Sequence, residues 1–173
     1  IKLKPEHDYK YMLLEHVNKN GTVGCSFPDS RVSWCTSYFK RDVIRRYFRN
    51  KRNVIEYVGI AADELNRVKD KKYPLIDWGW TETKCLNYCY DNGFDWGGLY
   101  NVFHRVSCWC CPLKSLNELR SLRHNYPELW NTLLNWQHNT WRKFRPDYSV
   151  DELEARFAKE DEYDKRQVLL FNI

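Results

Sequence analysis

Sulfur is the first candidate for chemistry in this chain. Cys108 and Cys111 form a C-x-x-C with Cys110 inside it, and Cys85 and Cys89 stand four residues apart. Cys25 and Cys35 complete a set of seven. An odd count, with no export signal at the start of the sequence, points away from a disulfide framework. The short spacings are those of metal ligands or redox thiols. Four thiolates suit either tetrahedral zinc or an iron–sulfur cluster, and spacing alone does not separate the two. The plain alternative, a free cysteine acting as a small buried hydrophobe, is the reading for Cys25. Cys110 is either a ligand or a free reactive thiol. Arg105 and Lys114 flank the run and lower thiol pKa values if they stand close.

A second set of residues is charged. Lys40 and Arg41 fall near the expected start of a helix, where backbone N–H groups already favour an anion. Arg45, Arg46 and Arg49 extend that basic face, whose simplest role is solvation. Asp63 and Glu64, with Arg67 just beyond, follow the apolar run from Val54 to Ala62. In open α/β sheets ligands sit outside the carboxyl ends of strands, so this triplet is well placed for a site. Its alternative is a helix start carrying acids for the dipole. His104, His124 and His138 have no partner pattern and read as surface or packing residues.

The elements that must position these groups are mostly helical. Pro5 suits a first helical position, and Tyr9, Met12, Leu13 and His16 follow at helical spacing. Gly21 to Ser33 reads as a loop, and Phe39, Val43, Ile44, Tyr47 and Phe48 trace one face of the next helix. The run from Val54 to Ala62 is nearly all apolar and reads as a strand covered on both faces. Thr81 caps a helix running to Asp91, with Cys85 and Cys89 on one side of it. Ser115 with Glu118, and Ser149 with Glu152, are capping boxes, and Pro127 opens a helix between them. Val168 to Ile173 could add a short strand. The fold class expected is α/β, with residues 1–112 carrying the sheet and the Cys-rich site and residues 113–173 a helical cover and tail.

Composition bounds the rest. The 173 residues allow one domain with an appendage but not two enzymatic domains. Hydrophobic residues at 43% and charged residues at 29% exclude a disordered chain, and 16% aromatics imply an aromatic-rich core. No apolar run approaches the roughly 20 residues of a membrane span, so a cytoplasmic protein without a membrane partner is expected. A net charge of +5 favours phosphate-bearing partners without demanding a polynucleotide.

Four stretches together resemble the phosphoadenosine phosphosulfate reductase family. They are Trp34-Cys35-Thr36 with Phe39-Lys40, Gly59-Ile60 with Asp63-Glu64 and Arg67, Tyr73-Pro74-Leu75 with Trp78, and the run from Arg105 to Pro112. The chain also looks like the related sulfurtransferase of DNA phosphorothioation. The likeness covers about residues 20–135. It implies part of an adenine nucleotide alpha-hydrolase-like sheet with a helical C-terminal region. It also implies an adenine nucleotide or sulfonucleotide substrate. By the same likeness, Lys40, Arg41, Arg67 and Arg105 bind the anion. Asp63 and Glu64 serve a ribose hydroxyl, Arg67 or Mg²⁺, and Cys110 is the reactive thiol. The cluster-bearing relatives imply a [4Fe–4S] centre, or zinc in its place, on Cys35, Cys108, Cys111 and Cys89, with Cys85 the alternative fourth ligand. The family's Ser-Gly-Gly-Lys-Asp-Ser phosphate loop has no counterpart here, so a preceding segment or a protein partner is expected to supply it. The reductases' Cys-bearing tail is also absent from Val168–Ile173. That directs the reading to a sulfurtransferase, or a reductase wired differently. The alternatives are a non-catalytic metal-stapled module that binds nucleotide or a partner, and a sulfurtransferase subunit of a nucleic-acid modification complex.

Overall fold

The computed structural model describes residues 1–171. In chain order its helices are α1 (Tyr9–Leu14), α2 (Trp34–Thr36), α3 (Asp42–Phe48), α4 (Pro74–Asp77), α5 (Glu82–Asp91), α6 (Leu99–Val102), α7 (Leu116–Asn125), α8 (Pro127–His138) and α9 (Val150–Phe171). A π-helical stretch, Ser37–Arg41, joins α2 directly to α3, and 3-10 turns occupy Leu65–Arg67 and Trp96–Gly98.

The expected α/β sheet does not form. Among the described residues there is no strand, only isolated bridges between Val17 and Val23 and between Tyr57 and Lys72. The run from Val54 to Ala62 shows why. Its backbone pairs in ladder fashion at one step only: Val58 N–H donates to the Lys72 carbonyl at 2.9 Å, and Lys72 N–H to the Glu56 carbonyl at 3.2 Å. β-Branched and aromatic residues supply the propensity for a strand, but a strand exists only through its neighbours. Val54, Ile55 and Tyr57 stay exposed, and of this run Ile60 and Ala61 are buried. The predicted terminal strand is also corrected: α9 continues through Phe171, and residues 172 and 173 lie outside the described part.

The chain divides into two units, residues 1–46 with 103–173, and residues 47–102. In the first, α7, α8 and α9 are set by their caps. Ser115 and Glu118 form the expected capping box. Glu152 N–H donates to Ser149 Oγ at 3.2 Å while the Glu152 carboxylate accepts from Ser149 N–H at 2.6 Å, the same reciprocal device. Pro127 opens α8. Leu119, Leu122, Leu133, Leu153 and Phe157 are buried to 1% exposure or less. Full burial of such a side chain stabilises by roughly 1.5–3 kcal/mol. Arg123 ties α7 to α9 through Glu154 and Asp161, and Trp130 Nε1 donates to the same Glu154 at 2.6 Å.

In the same unit α1 begins one turn later than Pro5 suggests, because Asp8 Oδ1 accepts Tyr11 N–H at 2.8 Å and acts as the N-cap. The following loop folds back on α1: Cys25 N–H donates to the Met12 carbonyl and Ser26 N–H to the Leu13 carbonyl. Gly24 makes this approach possible. Its φ is +73°, and a Cβ there would stand 2.5 Å from the Leu13 carbonyl oxygen. Phe27 then packs edge-on against Phe144, with ring centroids 5.1 Å apart.

The second unit is thinner. Ile60, Ala61 and Tyr73 are buried. Thr81 caps α5 as expected, its hydroxyl accepting Lys84 N–H at 3.3 Å. Ala62 N–H donates to the Trp80 carbonyl at 2.7 Å, which holds the irregular run against the start of α5.

Candidate thiol site

Cys35, Cys108, Cys110 and Cys111 all belong to the first unit. Two consecutive tight turns present the C-terminal three: Cys111 N–H donates to the Cys108 carbonyl at 3.1 Å, and Lys114 N–H to the Cys111 carbonyl at 3.2 Å. Cys35 comes from α2, held in place because Trp34 Nε1 donates to the Ser26 carbonyl at 2.9 Å. The chain continues from it into the π-helical stretch, a distortion found often at functional sites.

Cys110 is buried, Cys35 and Cys111 are half-buried, and Cys108 is exposed. Cys110 is 5% exposed. Burial first, then the neighbouring Cys108 and Cys111, push its thiol up to about 12, against the Tyr9 hydroxyl and its own backbone, which pull it down. The Cys111 thiol is raised first by burial, then by Cys108 and Cys35; the Leu113 N–H and the Lys114 charge oppose the rise. The Cys25 thiol is raised by burial alone. Its sulfur stands 3.6 Å from Asn18 Oδ1, which fits the reading of a packing residue. Cys110 is therefore a neutral thiol at neutral pH, the opposite of what a nucleophile needs. Metal coordination would reverse this, because a bound cation strips the proton from its thiol.

Tyr9 stands at the centre of this arrangement. Its phenol is held far above the usual range, first by burial, then by the charges that Cys110 and Cys35 would carry. The hydroxyl oxygen is buried with no hydrogen-bond partner among the described residues. It leans toward Cys110 closely enough to act on that thiol, but no acceptor stands at hydrogen-bonding geometry. Around the phenol lie Trp34, Phe39 and Trp136, with centroids 5.1, 6.0 and 5.7 Å from it, and Trp109 packs on Trp136 at 5.1 Å.

No three His, Cys, Asp or Glu side chains among the described residues stand as a ready-made metal group. Cys110 and Cys111 are each influenced by Cys108, and Cys111 by Cys35 as well, but these thiols do not close into such a group. Cys85 and Cys89 occupy α5 in the second unit. Cys85 is raised first by burial, then by Cys89, Asp63 and Glu82, all of that unit.

The charged candidates divide the same way. Lys40, Arg41 and Arg105 are exposed in the first unit and make no carboxylate ion pair among the described residues, though Arg105 N–H donates to Glu118 at 3.3 Å. Lys40 and Arg41 lie within a continuous helical run that starts at Trp34, not at a helix start as expected. In the second unit the Asp63 carboxylate accepts Glu82 N–H at 3.1 and 3.3 Å and so serves the start of α5. Glu64 pairs with Arg67 within the 3-10 turn. His124 Nε2 lies 3.0 Å from both Asp161 oxygens and His138 Nε2 2.7 Å from Asp151, contacts between helices and their flanks. The residue that sequence reasoning missed is Tyr9: on an apolar helix face it is indistinguishable from packing.

Comparison with known proteins adds relatives without a function. The chain is similar to two uncharacterized proteins of Methanocaldococcus jannaschii, 22% identical over 149 residues and 24% identical over 132. These alignments take in 72% and 68% of this chain but 28% and 30% of the relatives. The chain thus spans less than a third of the length of the curated relatives it matches. No family model and no solved structure matches it. No helix among the described residues is long and apolar enough to cross a membrane.

Proposed function

We propose that this chain carries a metal–thiolate centre on Cys35, Cys108, Cys110 and Cys111, within a protein of sulfur or sulfonucleotide chemistry resembling the phosphoadenosine phosphosulfate reductases and their sulfurtransferase relatives. Cys110 takes the place given from sequence to Cys89, because its thiol shares the neighbourhood of Cys108, Cys111 and Tyr9. The observation that carries the reading is the buried, unpartnered Tyr9 hydroxyl among those thiols inside an aromatic shell. A neutral thiol is a poor acceptor; a metal-bound thiolate is a good one. An iron–sulfur centre, with zinc the alternative, supplies electron or sulfur handling when bound. The chain's own residues do the rest. The four thiols would release their protons to hold such a metal and Tyr9 Oη would donate to sulfur, while Trp34, Phe39 and Trp136 pack around the Tyr9 ring with Trp109 on Trp136. Lys40, Arg41 and Arg105 neutralise phosphate or sulfate oxygens of an adenine nucleotide, Arg through paired N–H donors.

A second reading, a metal-stapled binding module without catalysis, is favoured by one observation. Asp63, Glu64 and Arg67, the expected nucleotide and Mg²⁺ contacts, already satisfy one another or a helix start. Anaerobic purification with iron, sulfide and zinc assays, followed by titration with adenine nucleotides, tests both. Metal with nucleotide affinity supports the first reading. Metal without it supports the second. A wild-type chain that takes up neither iron nor zinc overturns both.

A further inference from the structure

Cys108 and Cys111 are the two ends of one hydrogen-bonded turn. Trp109 and Cys110 are its central residues, and Cys111 N–H donates to the Cys108 carbonyl at 3.1 Å. A turn of this kind keeps its end Cα atoms within about 7 Å. A disulfide spans Cα atoms roughly 4.4–6.8 Å apart. The backbone therefore already holds these residues at bridging range, and joining them requires no change of fold. Both are free thiols. A charge on Cys108 is among the influences that raise the Cys111 thiol, so the two sulfurs stand near enough to interact.

Access differs along the turn. Cys108 is exposed, Cys111 is half-buried and Cys110 is buried. Exchange requires that the attacking sulfur be reached by its partner, which selects Cys108 for first contact with a disulfide from solution. Cys110, buried and held as a neutral thiol, takes no part. We propose that Cys108 and Cys111 form a thiol–disulfide exchange pair, in which Cys108 attacks a small disulfide and Cys111 resolves the product. Cys108 gives its proton to water and its sulfur attacks one sulfur of the small disulfide. That S–S bond breaks, a mixed disulfide forms and one small thiolate leaves. Cys111 then loses its proton and attacks the Cys108 sulfur, expelling the second small thiolate. The two released protons are taken up by the two leaving thiolates. Two protein thiols are thus oxidised to one disulfide and one small disulfide is reduced to two thiols, with no further reagent. The inference goes beyond the metal reading and does not rest on it. The oxidised pair has no thiolate left to offer, so oxidation of the turn and metal binding at it exclude each other.

The test uses the full chain, reduced, kept in chelator and equilibrated with glutathione and glutathione disulfide at graded ratios. Acid quenching, alkylation and trypsin follow. Cleavage after Arg105 and Lys114 yields the peptide 106–114, which holds Cys108, Cys110 and Cys111. Mass spectrometry should find Cys108 joined to Cys111 and the alkyl group on Cys110. Closing so short a loop in an unfolded chain costs entropy equivalent to roughly twentyfold in an equilibrium constant, a cost the folded turn has already met. The exchange constant should therefore be about tenfold or more larger for the folded chain than for the same chain in urea. Cys111→Ser should instead accumulate glutathione on Cys108. Should that variant fail to fold, the wild-type mapping decides alone. A dithiol that stays reduced, a bridge from Cys111 to Cys35 or within any other pair, or equal constants in the folded and urea-unfolded chain would overturn the proposal. A chain that binds metal but shows no such exchange loses this inference alone; one that exchanges but binds no metal loses only the metal reading.

Discussion

Replacing Tyr9 by Phe removes one oxygen and keeps the ring that packs against Trp34, Phe39 and Trp136. In the metal-free protein that oxygen is buried without a partner, a state that costs about 1–3 kcal/mol. Tyr9→Phe should therefore stabilise the metal-free chain by about 1–3 kcal/mol. For a chain of this size each kcal/mol moves the melting temperature by roughly 2–4 °C. In the loaded protein the hydroxyl donates to a thiolate, and hydrogen bonds to charged groups contribute about 1.5–3 kcal/mol. There the same substitution should destabilise and speed metal release. Thermal melts by circular dichroism, with chelator and reductant and then after anaerobic loading, read both signs. A Tyr9→Phe chain that melts lower without metal would show that the hydroxyl already has a partner, and the case built on it would fail.

Other expectations follow from the same contacts. Cys108→Ser and Cys111→Ser should lose metal and melt lower than loaded wild type, whereas Cys25→Ser, whose thiol touches Asn18, should keep both properties; metal analysis and melting of the three variants decide this. The folded Cys110 thiol sits at about 12 against an ordinary value of 9.0, so the metal-free fold holds its proton more tightly than the unfolded chain. That contribution is whole below pH 9 and is lost as the pH climbs toward about 12, at most about 4 kcal/mol at 1.36 kcal/mol per pH unit. Cys110→Ala should flatten this part of the pH–stability curve in denaturant titrations, and an unchanged slope would contradict it. Gly24→Ala should destabilise by at least about 1–3 kcal/mol, since alanine strains at φ +73° and its Cβ meets the Leu13 carbonyl; a neutral melt would mean the loop does not close on α1.

Helix ends were legible because caps are local. Thr81, Ser115 with Glu118, Ser149 with Glu152 and Pro127 each satisfy orphan N–H groups within one turn, so their spacing is enough. The sheet was misread because pairing is not local. Val54–Ala62 has a strand's composition, yet its exposed Val54, Ile55 and Tyr57 find one bridge at Tyr57. Of the candidate site, the C-x-x-C and Cys35 were expected from spacing and resemblance, whereas the burial of Cys110 and the unpartnered hydroxyl of Tyr9 depend on long-range packing. Asp63 and Glu64, residue types suited to chemistry, also serve local structure: Asp63 accepts at the start of α5 and Glu64 pairs with Arg67.

The most direct measurement is metal and acid-labile sulfide per chain in protein purified without oxygen, beside the count of thiols open to alkylation before and after chelation. Bound iron with sulfide, or bound zinc, should come with Cys35, Cys108, Cys110 and Cys111 shielded until the metal is removed, and Cys85 and Cys89 reacting equally in both states. Protein that holds no metal, or whose shielded cysteines are Cys85 and Cys89, would contradict the account.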